Sequence, residues 1–150
     1  MSKCKLKSAI CGNIGVGKST LCQKLAEKYT NGIYMTEELE GNPHLENFYE
    51  YMNKKIPGVN PHGFPLQKFF LIERCKKEAN FSYTNNILIQ DRCVMEQFEI
   101  FTKTMFDDEI INLKQFQFMQ SLFEEKLKEV MLPNIIIFLD SDPQVNMERI

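Results

Sequence analysis

The sequence lacks an excess of basic residues, any C-x-x-C pair and any apolar run that approaches the length of a membrane span. With a net charge of −2 over 150 residues, the chain carries no broad positive field, so we expect neither nucleic acid nor a membrane as a partner. The five cysteines are odd in number and fall on predicted strand and helix positions, which argues against a disulfide framework and a zinc site. This cysteine usage indicates a reducing compartment.

The sequence also lacks internal repeats, low-complexity tracts and a Gly/Ser-rich linker, and its length suits a single domain over residues 1–150. The first predicted strand begins too soon to leave room for a signal peptide. We therefore expect a cytoplasmic protein, with the nucleus as the alternative. The basic start at Lys3, Lys5 and Lys7 is too short for a nucleic-acid-binding arm, and we expect these side chains to be solvated.

A glycine-rich motif near the N-terminus, GNIGVGKST, matches the phosphate-binding pattern G-x-x-x-x-G-K-[ST] at every position. A predicted strand precedes it, and a predicted helix with Leu21, Leu25 and Tyr29 at helical spacing follows it. In that context the backbone N–H groups of the loop and the start of the helix would surround an anion. The motif predicts a nucleoside triphosphate site made by Gly12, Asn13, Ile14, Gly15, Val16, Gly17, Lys18, Ser19 and Thr20.

Predicted strands and helices alternate along the rest of the chain. Apolar runs predict strands at 6–11, 33–36, 87–89 and 135–139. The last of them is continuous enough to be central in a parallel sheet. Apolar spacing predicts helices at 42–52, 66–79, 94–105 and 113–130, a loop at 56–64 and a final helix capped by Asp142-Pro143. This alternation is typical of the α/β class, with an open parallel β-sheet flanked by helices on both faces.

Charged residues follow two of the predicted strands. Ligands of such sheets bind outside the carboxyl ends of the strands, where the glycine motif, Glu37 and the pair Asp91 and Arg92 are all expected. Phosphoryl transfer needs positioning and charge neutralisation, which these residue types supply. We predict that Glu37 is the base that takes the acceptor's proton, and that Ser19 and Asp91 hold Mg²⁺. Lys18 would reach the β- and γ-phosphates, and Arg92 would bridge the phosphate and Glu37.

Several short motifs occur in an order that resembles the deoxynucleoside kinase family, in its deoxycytidine/deoxyguanosine/deoxyadenosine kinase branch. After the glycine motif come Glu37, then LENFY at 45–49, FPLQ at 64–67 and DRC at 91–93. The resemblance covers nearly the whole chain and implies a P-loop kinase fold. It also implies a phosphotransferase of nucleotide salvage that uses ATP and Mg²⁺ to phosphorylate the 5′-hydroxyl of a 2′-deoxynucleoside.

The same resemblance implies roles for residues at the nucleoside. Gln67 would pair with the edge of the nucleobase, Tyr49 would bond the sugar 3′-hydroxyl, and Phe101 would stack on the base. The alternatives are core packing for Phe101 and a half-buried helix aromatic for Tyr49. Arg74 and Arg92 match arginines of the family's substrate site. The resemblance further implies a homodimer, with helices after the third strand forming the interface.

The chain departs from the family pattern at three places. Glu37 is followed by Glu38 where many relatives have proline, so the spacing to the next Asn-Pro pair identifies Glu37 as the base. Cys93 stands where serine is usual. The aspartate that normally partners the arginine at Arg74 is replaced by Gln97, which leaves the base preference open.

The family continues past the helix at Asp142-Pro143 into an arginine-rich lid and a last strand, and we expect this chain to lack both. Two alternative functions stay open at this point. One is a kinase of nucleoside monophosphates such as thymidylate, with Arg74 on the acceptor phosphate. The other is a nucleotide-binding but inactive subunit of an active kinase.

Overall fold

The computed structural model describes residues 6–37, 41–81 and 86–150. The strands in these ranges are β1 (Leu6–Gly12), β2 (Gly32–Met35), β3 (Ile87–Asp91) and β4 (Ile135–Leu139). The helices are α1 (Lys18–Lys28), α2 (Leu45–Asn53), α3 (Gly63–Phe81), α4 (Val94–Glu96), α5 (Lys103–Asp107), α6 (Leu113–Lys126) and α7 (Pro143–Glu148). A π-helical segment (Gln97–Thr102) joins α4 to α5, and a 3₁₀ turn (Leu127–Glu129) follows α6.

The chain divides into two compact units. The first unit comprises residues 1–38, 79–93 and 131–150, and the second comprises residues 39–78 and 94–130. The first unit therefore contains the four strands with α1 and α7, whereas α2, most of α3 and α4 to α6 belong to the second.

The four strands form one parallel sheet in the order β2-β3-β1-β4. In this register Ser8 of β1 is aligned with Ile89 of β3 on one side and with Ile135 of β4 on the other. Because parallel strands end at the same edge, the segments that follow β1, β2 and β3 all start from one side of the sheet. The predicted open parallel sheet is confirmed.

Both faces of the sheet are packed against other elements, because neighbouring residues of a strand point to opposite sides. On β3, Ile89 packs against Cys22 of α1. Its neighbour Leu88 packs against Met35 of β2 and Phe81 at the end of α3. Helical residues thus cover both faces, as the alternation of strands and helices predicts.

The second unit is held together by stacked aromatic rings. The ring of Phe98 stacks on those of Phe123 and Phe116, with centroid distances of 4.8 and 5.5 Å. Phe106 of α5 stacks on Phe116 of α6, with a centroid distance of 4.5 Å. Met119 and Phe123 of α6 are buried, so this face of the helix is turned to the core.

Two predicted helix boundaries near the N-terminus were wrong. Tyr29 was expected in the first helix, but α1 ends at Lys28 and Tyr29 is extended and exposed. The second helix was expected to begin at Asn42-Pro43, but it begins at Leu45. The side chain of Asn42 instead accepts a hydrogen bond of 3.0 Å from the His44 N–H, which makes a turn before the helix.

Two further boundaries differ around the middle of the chain. The third helix begins at Gly63 and not at Leu66, since Pro65 fits the first helical turn, where no N–H donor is needed. The predicted loop therefore ends at His62. The helix predicted at 94–105 is interrupted by the π-helical segment Gln97–Thr102, a feature without a periodic signal in the sequence.

Lys7 is fully buried, contrary to the expected solvated charge. Its Nζ donates to the carbonyl of Met131, and its backbone N–H donates to Asn134 Oδ1 at 2.8 Å. Lys3 and Lys5 lie outside the described residues, as do Cys4 and Glu38. The cysteines inside the described ranges, Cys11, Cys22, Cys75 and Cys93, are buried free thiols.

β4 stands at the end of the strand order among the described strands, although its apolar run predicts a central strand. Ile135, Ile136 and Phe138 are between 47 and 68% exposed, because β4 pairs with β1 on one side only in the described part of the chain. Within the same ranges, no helix combines the length and apolarity that crossing a membrane requires.

Candidate active site

The glycine motif forms a loop between β1 and α1 whose backbone only glycine adopts easily. Gly15 has φ of 75° and Gly17 has φ of 102°, both in the left-handed region. A Cβ on Gly15 would lie 2.5 Å from the carbonyl oxygen of Asn146, so the loop and α7 approach too closely for a side chain. The motif is thus shaped by its glycines, as the pattern requires.

The start of α1 supplies the positive end of a helix to this loop. Gly17 is the N-cap and provides no side-chain acceptor, and the first turn contains no acidic residue. The first N–H groups of the helix are therefore suited to an external anion. Lys18 is buried to 6% exposure, and its Nζ donates to Asn13 O at 2.8 Å, which draws the ammonium over the loop.

Ser19 and Asp91 lie together at the ends of α1 and β3. The Ser19 hydroxyl donates to Asp91 Oδ2 at 2.5 Å, and the Tyr34 hydroxyl is 3.5 Å from the same oxygen. Hydroxyl and carboxylate oxygens are the hard ligands that Mg²⁺ prefers. The donor set therefore fits the ion that the sequence predicts for this pair.

The environment of Asp91 also acts on neighbouring acids. Burial, with a smaller contribution from the Asp91 charge and against the opposing Lys18 charge, raises the pKa of the Cys22 thiol to about 12. Burial likewise raises the pKa of the Tyr34 phenol, and the Asp91 charge adds to this effect. Cys22 is therefore a protonated core residue at neutral pH, and Tyr34 is a neutral hydrogen-bond donor.

Glu37 and Arg92 form an ion pair where β2 and β3 end. Arg92 Nε donates to Glu37 Oε1 at 2.6 Å, with the guanidinium side chain 8% exposed and the carboxylate side chain 45% exposed. Arg92 has φ of 62°, an unfavourable value for a side chain of this size. Its N–H donates to Ile10 O, and its carbonyl accepts from Gln90 Nε2, both at 3.0 Å. These backbone bonds hold the strained residue in place.

Arg149 is a residue of this region that no sequence motif identifies. It follows α7, and its Nη1 lies 3.4 Å from Gly15 O. It also borders a cavity of about 280 Å³ whose other lining residues belong to the glycine motif: Gly15, Gly17, Lys18, Ser19 and Thr20. The only sequence signal was an arginine at the end of the helix that Asp142-Pro143 opens, since the spatial approach of α7 to the loop cannot be read from spacing.

The residues predicted for the nucleoside are in the second unit. Gln67 of α3 is buried, and its Oε1 accepts from Gln97 Nε2 at 2.6 Å. Arg74, about two turns further along α3, is 3% exposed. Phe101 is half-buried in the π-helical segment, and Tyr49 of α2 is 59% exposed, with its ring edge-on to Phe48. The structure brings Gln67 and Gln97 together. The alternative expectation for Tyr49, a half-buried helix aromatic, is wrong, because its side chain is exposed.

Comparison with known proteins gives the same family as the motifs. The family model described as deoxynucleoside kinase matches residues 9–150. A deoxyadenosine/deoxycytidine kinase of Bacillus subtilis (strain 168) is 31% identical over 143 residues, covering 94% of this chain and 62% of the relative. A deoxyadenosine kinase of Dictyostelium discoideum is 29% identical over 142 residues, covering 95% of this chain and 54% of the relative. The chain thus spans between about half and two thirds of the length of these curated relatives.

Solved structures share the fold. A deoxyadenosine kinase from M. mycoides, solved with the products dCMP and a flexible dCDP bound, matches with a TM-score of 0.77 at 24% identity, over 96% of this chain and 69% of that one. The same kinase with bound dCTP matches with a TM-score of 0.73 at 25% identity, over 96% and 68% of the two chains. These likenesses confirm the predicted P-loop kinase fold. Since the family model covers nearly all of the chain, this protein belongs to the deoxynucleoside kinase family.

Proposed function

We propose that this protein transfers the γ-phosphoryl group of ATP to the 5′-hydroxyl of a 2′-deoxynucleoside. The observation that carries the proposal is the Glu37–Arg92 ion pair of 2.6 Å, which lies at the same sheet edge as the phosphate-binding loop. Membership of the deoxynucleoside kinase family and relatives named deoxyadenosine and deoxycytidine kinases support it. Neither the monophosphate kinase nor the inactive subunit receives comparable support.

For the phosphate donor, we assign the residues around the loop. Backbone N–H groups from Gly12 to Thr20 would receive the phosphate oxygens, and Lys18 would neutralise the β- and γ-phosphates. Ser19 and Asp91 would hold Mg²⁺, which when bound reduces the charge repulsion that the leaving phosphate meets. Arg149 borders the same cavity and would add a second positive charge.

For the transfer, we assign Glu37 as the base. The 5′-hydroxyl oxygen forms its bond to the γ-phosphorus, the bond from that phosphorus to the β,γ-bridging oxygen breaks, and the hydroxyl proton passes to the Glu37 carboxylate. ADP leaves with the electron pair of the broken bond. Arg92 would orient Glu37 through their 2.6 Å contact and separate its charge from that of the phosphate.

For the nucleoside, we assign residues of the second unit. Gln67 would bond the base edge, Phe101 would stack on the base, and Tyr49 would bond the 3′-hydroxyl. Gln67 and Arg74 are buried polar side chains of α3, and hydrogen-bonding groups of this kind support recognition of a nucleobase edge.

The test is an acceptor panel with the full-length protein. Radiolabelled ATP and Mg²⁺ would be supplied with each of the four deoxynucleosides and, separately, with dTMP. We expect label in at least one deoxynucleoside monophosphate. Transfer to dTMP alone would overturn the proposal in favour of a monophosphate kinase, and ATP binding without any transfer would establish an inactive subunit.

We further propose a homodimer in the cytoplasm, built from one domain whose lid and last strand lie beyond Ile150 in the family pattern. The half-exposed Ile100, on the helical region after β3, supports an apolar interface there. Sedimentation velocity of the full-length protein measures the dimer directly. A monomer at every concentration would contradict it.

A further inference from the structure

A buried pair of amides joins α3 to the π-helical segment in the second unit. Gln97 Nε2 donates to Gln67 Oε1 at 2.6 Å, with the two residues 8% and 3% exposed. Thr102, which is fully buried, brings its hydroxyl to 3.5 Å from the same oxygen. Gln67 is thus held through its carbonyl oxygen by Gln97, with the Thr102 hydroxyl close to the same oxygen.

The π-helical turn fixes the donors of this pair. Thr102 is five residues after Gln97, and its hydroxyl donates to the Gln97 carbonyl at 2.8 Å. The wider turn therefore brings both residues to one side of the helix, where Gln97 donates to Gln67 and Thr102 holds the Gln97 carbonyl. Single π turns of this kind are frequent at functional sites. The segment acts here as a clamp, defined by Gln97 and Thr102, on the Gln67 amide.

The clamp is not the arrangement that the family resemblance implies. There, an aspartate at position 97 would face Arg74 and accept its hydrogen bonds. A glutamine amide offers a donor where a carboxylate has none. In the described part of the chain, the side-chain hydrogen bond of Gln97 goes to Gln67.

The clamp limits which atoms of the Gln67 amide can bind a ligand. The carbonyl oxygen of Gln67 already accepts from Gln97 Nε2, and the Thr102 hydroxyl lies 3.5 Å from the same oxygen. Its amide nitrogen remains as the group with hydrogens for a ligand. We infer that Gln97 is a positioning residue that presents Gln67 to the nucleobase as a hydrogen-bond donor, so that the enzyme selects a base by an acceptor atom on its edge. The inference rests on the proposed function, in which Gln67 contacts the base.

The inference distinguishes two groups on the base. A ring nitrogen or carbonyl oxygen can accept from the Gln67 amide nitrogen, whereas an exocyclic amine would need the oxygen that Gln97 already occupies. Removing the ring acceptor from a substrate should therefore lower kcat/KM more than removing the amine does. An unclamped glutamine would use both groups, and both removals would then matter equally.

The experiment uses the full-length protein and substrates with single atoms changed. For a purine acceptor these are 1-deaza- and 7-deaza-2′-deoxyadenosine, which lack ring nitrogens, and 2′-deoxynebularine, which lacks the amine. For a pyrimidine acceptor they are 3-deaza-2′-deoxycytidine and 2′-deoxyzebularine. With the wild type, we expect one deaza substrate to lose about tenfold to a hundredfold in kcat/KM, and the amine-free substrate to lose less than about threefold.

The Gln97→Glu variant should invert this pattern. It replaces the donor with an acceptor of nearly the same shape, so the Gln67 amide should rotate and present its oxygen to the base. The amine-free substrate should then be the poor one. The second variant is Thr102→Val, which removes the hydroxyl. It should narrow the difference in kcat/KM between the deaza substrate and the amine-free substrate. Gln120→Glu on the exposed side of α6 is the matched control and should keep the wild-type pattern.

The outcomes separate the inference from the proposed function. If the wild type phosphorylates no deoxynucleoside, the proposed function fails. If it does phosphorylate one, but Gln97→Glu and Thr102→Val both keep the wild-type order of analogues, the inference alone is overturned. A variant that is only destabilised would lose activity with all analogues in the same proportion. The ratio of kcat/KM between two analogues would then stay at its wild-type value.

Discussion

Glu37 owes its proposed importance to one side-chain contact, the 2.6 Å ion pair with Arg92. Glu37→Gln keeps the shape and a hydrogen-bond acceptor for Arg92 but cannot take a proton from the substrate. We expect kcat to fall by about two to four orders of magnitude, while ATP binding is retained. Single-turnover transfer and titration with a fluorescent ATP analogue measure the two quantities.

The control for this substitution is Glu125→Gln, which makes the same change on the exposed side of α6. It should leave both quantities unchanged. A Glu37→Gln protein with wild-type kcat would remove Glu37 from the role of base. Loss of ATP binding in the same variant would instead point to a structural role for the ion pair.

Cys22 provides a residue-scale prediction about stability and pH. Its folded pKa of about 12 lies above the ordinary value of 9.0, so between these pH values the folded thiol keeps a proton that the unfolded thiol has lost. Its contribution is therefore complete below pH 9 and declines as the pH rises. From pH 8 to pH 10 we expect the free energy of unfolding to fall by about 1 kcal/mol through this group.

Urea unfolding at both pH values, compared with Cys22→Ala, measures this effect. The variant starts from a lower stability because it leaves a cavity, so the slope with pH is the quantity to compare. Tyr34, whose pKa is also raised, contributes to the slope in both proteins. Equal slopes would contradict the prediction.

The positions of individual functional residues could be predicted where a motif fixes them. They could not be predicted where packing alone does. Ser19 and Asp91 were expected at the same edge of the sheet, and they are in hydrogen-bond contact there, because strand ends and the glycine motif converge in a parallel sheet. Lys7 was expected to be solvated and is buried, because the pattern of apolar residues does not reveal that the Met131 carbonyl accepts from its ammonium group. Arg149 was overlooked for the same reason: its approach to Gly15 depends on how α7 folds back on the loop.

Among the elements, the loop between β1 and α1 contains a glycine, Gly15, for which Gly41 before α2 is a matched control. Gly15 and Gly41 have nearly the same φ, 75° and 74°, so alanine at either position meets a similar backbone cost of about 1–2 kcal/mol. Only Gly15 also has a backbone atom, Asn146 O, 2.5 Å from the added carbon, whereas Gly41 has nothing within 4 Å.

We therefore expect Gly15→Ala to be the more destabilised variant, by about 2–4 kcal/mol, and to bind ATP weakly. Gly41→Ala should lose about 1–2 kcal/mol and bind ATP normally. Thermal unfolding and titration with a fluorescent ATP analogue decide between them. Equal stability and equal ATP affinity in the two variants would mean that the close approach of the loop to Asn146 has no consequence.

The helices show where sequence periodicity stops being informative. The helix capped by Asp142 and Pro143 was predicted correctly because its signals are local: the Asp142 side chain accepts from the Gln144 N–H at 2.8 Å. The π-helical segment was not predictable, because apolar residues such as Val94 and Phe98 keep helical spacing across its start. The segment accompanies a tertiary contact, the bond from Gln97 to Gln67 on another helix, which sequence periodicity does not report.

On the scale of the whole molecule, the sequence was sufficient for the class of fold and insufficient for the strand order. Alternating strands and helices imply a parallel sheet, and a glycine motif after the first strand implies where it binds ligands. The run at 135–139 was read as central, but β4 has one partner strand among those described. Apolar content predicts that a strand forms, and it does not tell which strands become its neighbours.

The exposed side of β4 leads to a prediction for residues 1–150 expressed alone. Phe138 is 68% exposed on a strand whose second edge has no partner among the described residues, and such edges template association between chains. Phe138→Lys places a charge there and should raise the concentration at which light scattering begins. Leu132→Lys adds the same charge at a 51% exposed position outside the strand and should have a smaller effect. Equal effects would show that net charge, and not the edge of β4, governs association.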